Sequence, residues 1–105
     1  MRKGEIWWAE LQEPAGRRPV LLLSRDEAYS VRSQVTIAPV TTRVRDLWSE
    51  VTLGPDDGMP KACVANLDNI TTIPKKRLLS RITVLSQAKL GETEAAIHFA
   101  LGLAR

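Results

Sequence analysis

The stretch GRRPVLLLSRD, residues 16 to 26, sets two arginines and a proline directly in front of an unbroken apolar run, Val20 to Leu23. A run this short has no polar side, which fits a strand covered on both faces better than a surface helix. Pro19 fixes the backbone at the strand's entry and donates no hydrogen bond. The guanidinium of Arg18 contributes nothing to strand formation. Its place at the mouth of a rigid element is what function has to explain.

Outward from this strand, EIWWAEL (5–11) is aromatic-rich and bounded by Gly4 and the loop EPAG, which predicts a second strand. DEAYSV (26–31) predicts one short helical turn with Asp26 near its start, and QVTIAPVT (34–41) returns to β-branched residues. Pro39 predicts an edge position or a bulge, because it cannot donate to a ladder. SEVTL (49–53) and ACVANL (62–67) flank GPDDGMP, whose Pro, Asp and Gly residues suit a reversal, so the segment reads as a hairpin. NITTI (69–73) and SRITVL (80–85) are two further strands separated by the basic turn PKKR.

Only the last segment changes period. Ser86 is an N-cap, and Leu90, Ile97 and Leu101, with Ala and Phe99 as neighbours, make one apolar helical face. The expected fold class is mainly β with a C-terminal helix, a small SH3-like barrel, because so few short strands bury a core best by curling onto themselves.

Residues 1–105 read as a single domain, 44% hydrophobic, long enough to bury roughly two thirds of its unfolded surface. Fifteen Lys and Arg against twelve Asp and Glu leave a net charge of +3, which favours a polyanionic partner. Cys63, the single cysteine, lies in an apolar stretch without metal-site spacing and reads as a core thiol. No run has the length of a signal peptide or a membrane span, so a cytoplasmic location away from membranes is expected.

Four blocks, RKGEIWWAEL (2–11), GRRPVLLLSRD (16–26), TIAPVTT (36–42) and VANLDNITTIPKKRL (64–78), resemble in order and spacing those of the MazF/PemK toxin family. The resemblance covers nearly the whole chain and implies a MazF/PemK/CcdB-like barrel. It also implies a homodimeric ribonuclease of a toxin–antitoxin pair, cutting single-stranded RNA at short sequences without a metal or other cofactor. Its partners would be the RNA substrate, most plainly mRNA, and a cognate antitoxin protein.

Metal-free cleavage of RNA proceeds by in-line attack of the 2′-hydroxyl on phosphorus. A group must take that proton, a group must stabilise the phosphoryl charge, and a group must protonate the leaving 5′-oxygen. His98, the only histidine, falls on the polar side of the terminal helix four residues after Glu94, so it does not serve. The resemblance instead assigns Arg18 to the phosphate, where its planar fork binds oxygens bidentately. It assigns Thr41 as a hydroxyl donor to a phosphoryl oxygen and offers Glu13, five positions before Arg18, as the base, although the loop EPAGRRP is shorter than in members that carry that glutamate.

For recognition the resemblance places a base-contacting amide at Asn69, which otherwise reads as a turn asparagine after Asp68. Arg17, Arg43 and Arg77, with Arg45, Lys75 and Lys76, lie on three loops able to converge on one phosphate-attracting rim. Trp7 and Trp8 must face opposite sides of one strand, so only one is core; the other, like Trp48, is open to base stacking or to a second subunit. Two other functions compete: a barrel of this class that poisons DNA gyrase by protein binding, and a noncatalytic RNA-binding module.

Overall fold

In the computed structural model, which describes residues 1–103, the opening stretch becomes β2 (Arg17–Leu22). Val20 and Leu22 point to one side and Leu21 to the other, and all three are completely buried, as the continuous run requires. Each such aliphatic side chain contributes about 2 kcal/mol through its removal from water. β2 lies between β1 (Glu5–Glu10) and β3 (Gln34–Thr41), pairing antiparallel with both. Between β2 and β3 runs α1 (Ala28–Val31), a single turn preceded by Glu27, which makes no side-chain capping bond; Asp26 accepts the Lys3 backbone N–H through its carboxylate at 2.8 Å.

The expected hairpin is β4 (Glu50–Leu53) with β5 (Cys63–Asn66), followed by β6 (Thr71–Pro74), β7 (Leu78–Val84) and α2 (Gln87–Ala100). The seven strands run in the order β4-β5-β3-β2-β1-β7, with β6 beside the first half of β3. Among the described residues β4 and β7 do not pair, so the sheet is a half-barrel. α2, leaving β7, packs against β4 and covers the gap that strand pairing leaves open.

Two apolar clusters lie on opposite faces of the sheet. Ile6, Leu21, Ala38, Val40, Val51, Leu53 and Ala65 pack with Ala96 under α2, while Ala9, Val20, Leu22, Val35 and Ile37 pack with Tyr29 and Leu78 on the far side.

Two expectations are corrected. Pro39 occupies neither an edge nor a bulge: it sits in a central strand, paired with Val20 on one side. On its other side β3 changes neighbour, from β6 at Gln34–Ile37 to β5 at Val40–Thr41, and the missing N–H falls in that junction. In α2 the Ser86 hydroxyl does accept from the Lys89 N–H at 3.2 Å, but the inward stripe is Leu90, Thr93, Ala96, Ile97 and Ala100. Leu101 lies past the last helical turn and is exposed, as is Phe99. The buried Thr93 hydroxyl is satisfied by the Lys89 carbonyl at 2.9 Å, which lets a polar residue take a core position.

Candidate active site

The register of the sheet assembles the site. Val20 stands opposite Pro39, and continuing that pairing two residues outward brings Arg18 opposite Thr41. Thr41 is opposite Val64, Thr52 is opposite Val64, and Glu50 is opposite Asn66. Arg18, Thr41, Asn66 and Glu50 therefore share the face that holds Val20 and Ile37. That face is core where Tyr29, Val35, Ile73 and Leu78 pack together on it and opens as a groove at Arg18, Thr41, Glu50 and Asn66.

Arg18 is the second residue of β2, just after the 11–16 loop, which closes with the Leu11 N–H on the Gly16 carbonyl at 2.8 Å. Gly16, at φ +65, takes a left-handed turn that favours glycine. Arg18 Nε donates to the Ala15 carbonyl at 3.0 Å, and among the described residues its two Nη groups take no partner. The head group is thus held by one nitrogen and presents the other two. Thr41 Oγ1 accepts from the Arg43 N–H at 3.1 Å, which leaves the hydroxyl proton free to donate outward.

Two depressions meet at this pair. The first, about 210 Å³, lies on the α2 side and is lined by Trp8, Arg17, Pro19, Val40, Lys61 and Cys63 along with Arg18 and Thr41. The second, about 460 Å³, lies on the opposite face and is lined by Arg43, Arg45, Glu50, Asn66 and Asn69 along with Arg18 and Thr41. Arg17 lies over the Trp8 ring, 5.6 Å from its centroid, so this tryptophan supports a cation at the rim. Five cationic side chains against one carboxylate make the surroundings of Arg18 and Thr41 locally positive.

The anchoring of Asn69 is indirect. The Ser49 hydroxyl donates to the Asp68 carboxylate, and the Asp68 N–H donates to Asn66 Oδ1 at 2.9 Å, fixing the 3-10 turn Leu67–Asn69 beside the second depression. Thus Arg18, Thr41, Arg17, Arg43 and Asn69 are brought together. Glu13 is not among the residues lining either depression; it is exposed, its carboxylate lying near Gly16. Arg77 also lies outside both, donating to the Glu10 carbonyl at 3.3 Å, and Lys75 and Lys76 line a separate surface hollow with Ser33 and Gln34. The basic loops converge only in part.

Trp7 and Trp8 do face opposite sides, and both are half-buried: Trp7 packs on the far-side cluster and donates to Glu5 Oε1 at 2.8 Å. The exposed tryptophan is Trp48, 80% accessible and edge-on to Phe99 at 5.6 Å. Cys63 is buried, and burial together with Asp57 pushes its thiol up, so it packs as a neutral side chain. His98 is exposed on α2, in a hollow with Glu94 and Phe99 away from Arg18. Among the described residues no three His, Cys, Asp or Glu groups are clustered to hold a metal ion.

Lys61, Glu50 and Asn66 were not anticipated. For the last two, an available signal was register: once SEVTL and ACVANL are paired, the polar members of each strand fall on the face of Thr41.

Residues 2–101 match the family of PemK-like, MazF-like toxins of type II toxin–antitoxin systems. A probable endoribonuclease MazF5 of Mycobacterium tuberculosis is 36% identical over 104 residues, which span 98% of this chain and 94% of that protein. A probable endoribonuclease MazF2 of the same species is 39% identical over 103 residues, 97% of this chain and 99% of the relative. In structure the chain is similar to the Mycobacterium tuberculosis toxin MazF-mt6, with a TM-score of 0.89, 34% identity, and coverage of 96% of this chain and 99% of that one. It is also similar to a mycobacterial endoribonuclease solved in complex with its cognate antitoxin, with a TM-score of 0.88, 26% identity, and coverage of 100% and 98%. The family match runs from ahead of β1 to the end of α2, and the chain belongs to the PemK-like, MazF-like toxins of type II toxin–antitoxin systems.

Proposed function

We propose that this chain is a metal-independent endoribonuclease that cuts single-stranded RNA, chiefly mRNA, at a short sequence and so inhibits translation and growth as the toxin of a toxin–antitoxin pair. The observation that carries this reading is the juxtaposition of Arg18 and Thr41 across adjacent strands, where two arginine-rimmed depressions meet. A gyrase poison, which acts by protein binding, has no use for such a phosphate site; a plain RNA-binding module would leave the RNA uncut.

The scissile phosphate lies against the free Nη groups of Arg18 and the Thr41 hydroxyl. The 2′-oxygen, losing its proton, bonds to phosphorus, the bond from phosphorus to the 5′-oxygen breaks, and the leaving oxygen takes a proton from water, giving a 2′,3′-cyclic phosphate and a 5′-hydroxyl. Negative charge gathers on the non-bridging oxygens during the step, and both residues donate to them. Glu13, on the loop that holds Arg18 through Ala15, is the carboxylate the family resemblance offers for the 2′-proton; it acts if bound RNA draws it in from the loop's outer side. Arg17 on Trp8, with Arg43, takes flanking phosphates, and Asn69 contacts a base. Arg77, held at Glu10, serves only RNA that extends beyond the two depressions.

We further propose that the protein works in the cytoplasm as a homodimer, using the exposed apolar surface of Trp48, Phe99 and Leu103, and that an acidic antitoxin segment, disordered when free, covers the Arg18 groove. Among the described residues no helix is long and apolar enough to cross a membrane. The test is a denaturing gel of single-stranded RNA incubated with the protein in EDTA. Cutting that persists and leaves 5′-hydroxyl ends supports the reading, and intact RNA contradicts it. Light scattering at micromolar concentration checks the dimer.

A further inference from the structure

Glu50 is the one carboxylate among the residues lining the two depressions. In a groove rimmed by arginines and suited to a polyanion, a carboxylate weakens phosphate binding unless the part of the RNA beside it carries hydrogen-bond donors. Its place is well defined. Glu50 shares a face with Thr41 and lies two strands across and two residues along, roughly 12 Å away. Its Oε1 accepts from the backbone N–H of Arg45 at 3.1 Å, with the Leu47 N–H at 3.5 Å, and among the described residues the carboxylate makes no ion pair. One oxygen is therefore tied to the backbone, and Oε2 is free.

The residue opposite it in the register, Asn66, is oriented in the same way. Its Oδ1 accepts from the Asp68 N–H at 2.9 Å, so the amide's free end is the Nδ2 donor. Glu50 and Asn66 together present an acceptor beside a donor. The Watson–Crick edges of cytosine and adenine complement this pair: the exocyclic amino group donates to Glu50 Oε2, and the neighbouring ring nitrogen accepts from Asn66 Nδ2. Uracil and guanine complement it with the base turned over, N3–H or N1–H donating to Glu50 Oε2 and the carbonyl oxygen accepting from Asn66 Nδ2, so the orientation in which the strand presents the base decides which set, C and A or U and G, is read.

We infer that Glu50, with Asn66, is a specificity-determining pair that reads the Watson–Crick edge of one base flanking the cut and so separates C and A from U and G; this rests on the ribonuclease reading. Both residues sit away from the phosphate, and they select sequence without taking part in bond breaking.

The test is cleavage of a random single-stranded RNA library with sequencing of the 5′-hydroxyl ends, for the unaltered protein, Glu50→Gln, Glu50→Ala and Asn66→Ala, each checked by circular dichroism. The unaltered protein should prefer one of the two sets, C and A or U and G, at one position, and both alanine variants should relax that preference by about tenfold to a hundredfold with other positions unchanged. Glu50→Gln keeps an oxygen for the Arg45 N–H and turns an NH₂ outward beside the Asn66 amide, two donors that match neither donor–acceptor edge, so its preference between the two sets should be lost at the same position. A uniform loss of rate with unchanged preference would mean Glu50 only holds the loop carrying Arg43 and Arg45, and would overturn the inference. Cutting by the unaltered protein with no position that separates C and A from U and G would do the same. Failure of the unaltered protein to cut at all removes the ribonuclease reading, and this inference with it.

Discussion

Replacing Arg18 by alanine should separate catalysis from stability. The side chain is exposed, and its one recorded bond, Nε to the Ala15 carbonyl at 3.0 Å, is worth roughly 0.5–1 kcal/mol in such a setting. The melting temperature should fall by only a few degrees. The two Nη groups, by contrast, are the donors proposed to meet the phosphoryl oxygens as charge develops. Removing a preorganised donor of that kind costs about 3–4 kcal/mol, or on the order of 10²–10³ in kcat. Arg18→Lys should fall between: it keeps the charge but loses both the fork and the Nε anchor to the 11–16 loop. The assay is single-turnover cleavage of a fluorogenic oligonucleotide beside thermal melting by circular dichroism. A folded Arg18→Ala cutting at the unaltered rate would refute the assignment, as would a lysine variant no better than alanine if charge is the main contribution.

Thr41→Val should lose on the order of 10² in kcat, because it removes the hydroxyl donor and the acceptor of the Arg43 N–H, whereas Thr41→Ser should keep most activity; equal rates for the two would remove the hydroxyl from the mechanism. Burial alone raises the Glu5 carboxyl, but the Trp7 Nε1 bond, a backbone bond from Arg2 and the charges of the N-terminus and Arg81 outweigh it and hold it below its ordinary 4.5. Its contribution is complete above pH 4.5 and disappears as pH falls through the lowered value. Glu5→Gln should therefore cost roughly 1 kcal/mol at pH 7, with the melting-temperature gap closing in acid; a gap unchanged down to pH 2 contradicts this. Gly58, at φ +90, has no room for a Cβ, which would collide with the Thr83 hydroxyl that donates to the Asp57 carbonyl at 2.9 Å. Gly58→Ala should lose about 2 kcal/mol by denaturant titration, and no loss would show that the turn relaxes freely.

Much of the sheet was legible because burial on both faces, alternation and turn chemistry are local properties. The run at 20–23, the 54–60 reversal and the Ser86 cap each state their structure in a few residues. Pro39 was misplaced because a proline announces only its missing N–H. Which neighbour lies beside it depends on β5 and β6, more than twenty residues away. The buried stripe of α2 was misread at its end because Leu101 is apolar and Thr93 is not, while packing against β4 selects by position on the helix. At the candidate site, Arg18 and Thr41 were found through family blocks, and their adjacency follows from register. Glu50 and Asn66 share that register yet belong to strands whose polar residues look like ordinary solvent-facing positions until the face is known. The side chains of Glu13 and Arg77 depend on how individual loops close, which spacing does not encode.

The most direct test of 2′-hydroxyl attack at the Arg18 and Thr41 junction is a single-atom change in the substrate. A cleavable oligoribonucleotide should be prepared with one 2′-deoxy ribose at the scissile nucleotide and incubated with the protein in EDTA. The account predicts that the all-ribose strand is cut to a 2′,3′-cyclic phosphate and a 5′-hydroxyl while the substituted strand stays intact at that bond. Cutting of the substituted strand at the normal rate would contradict it.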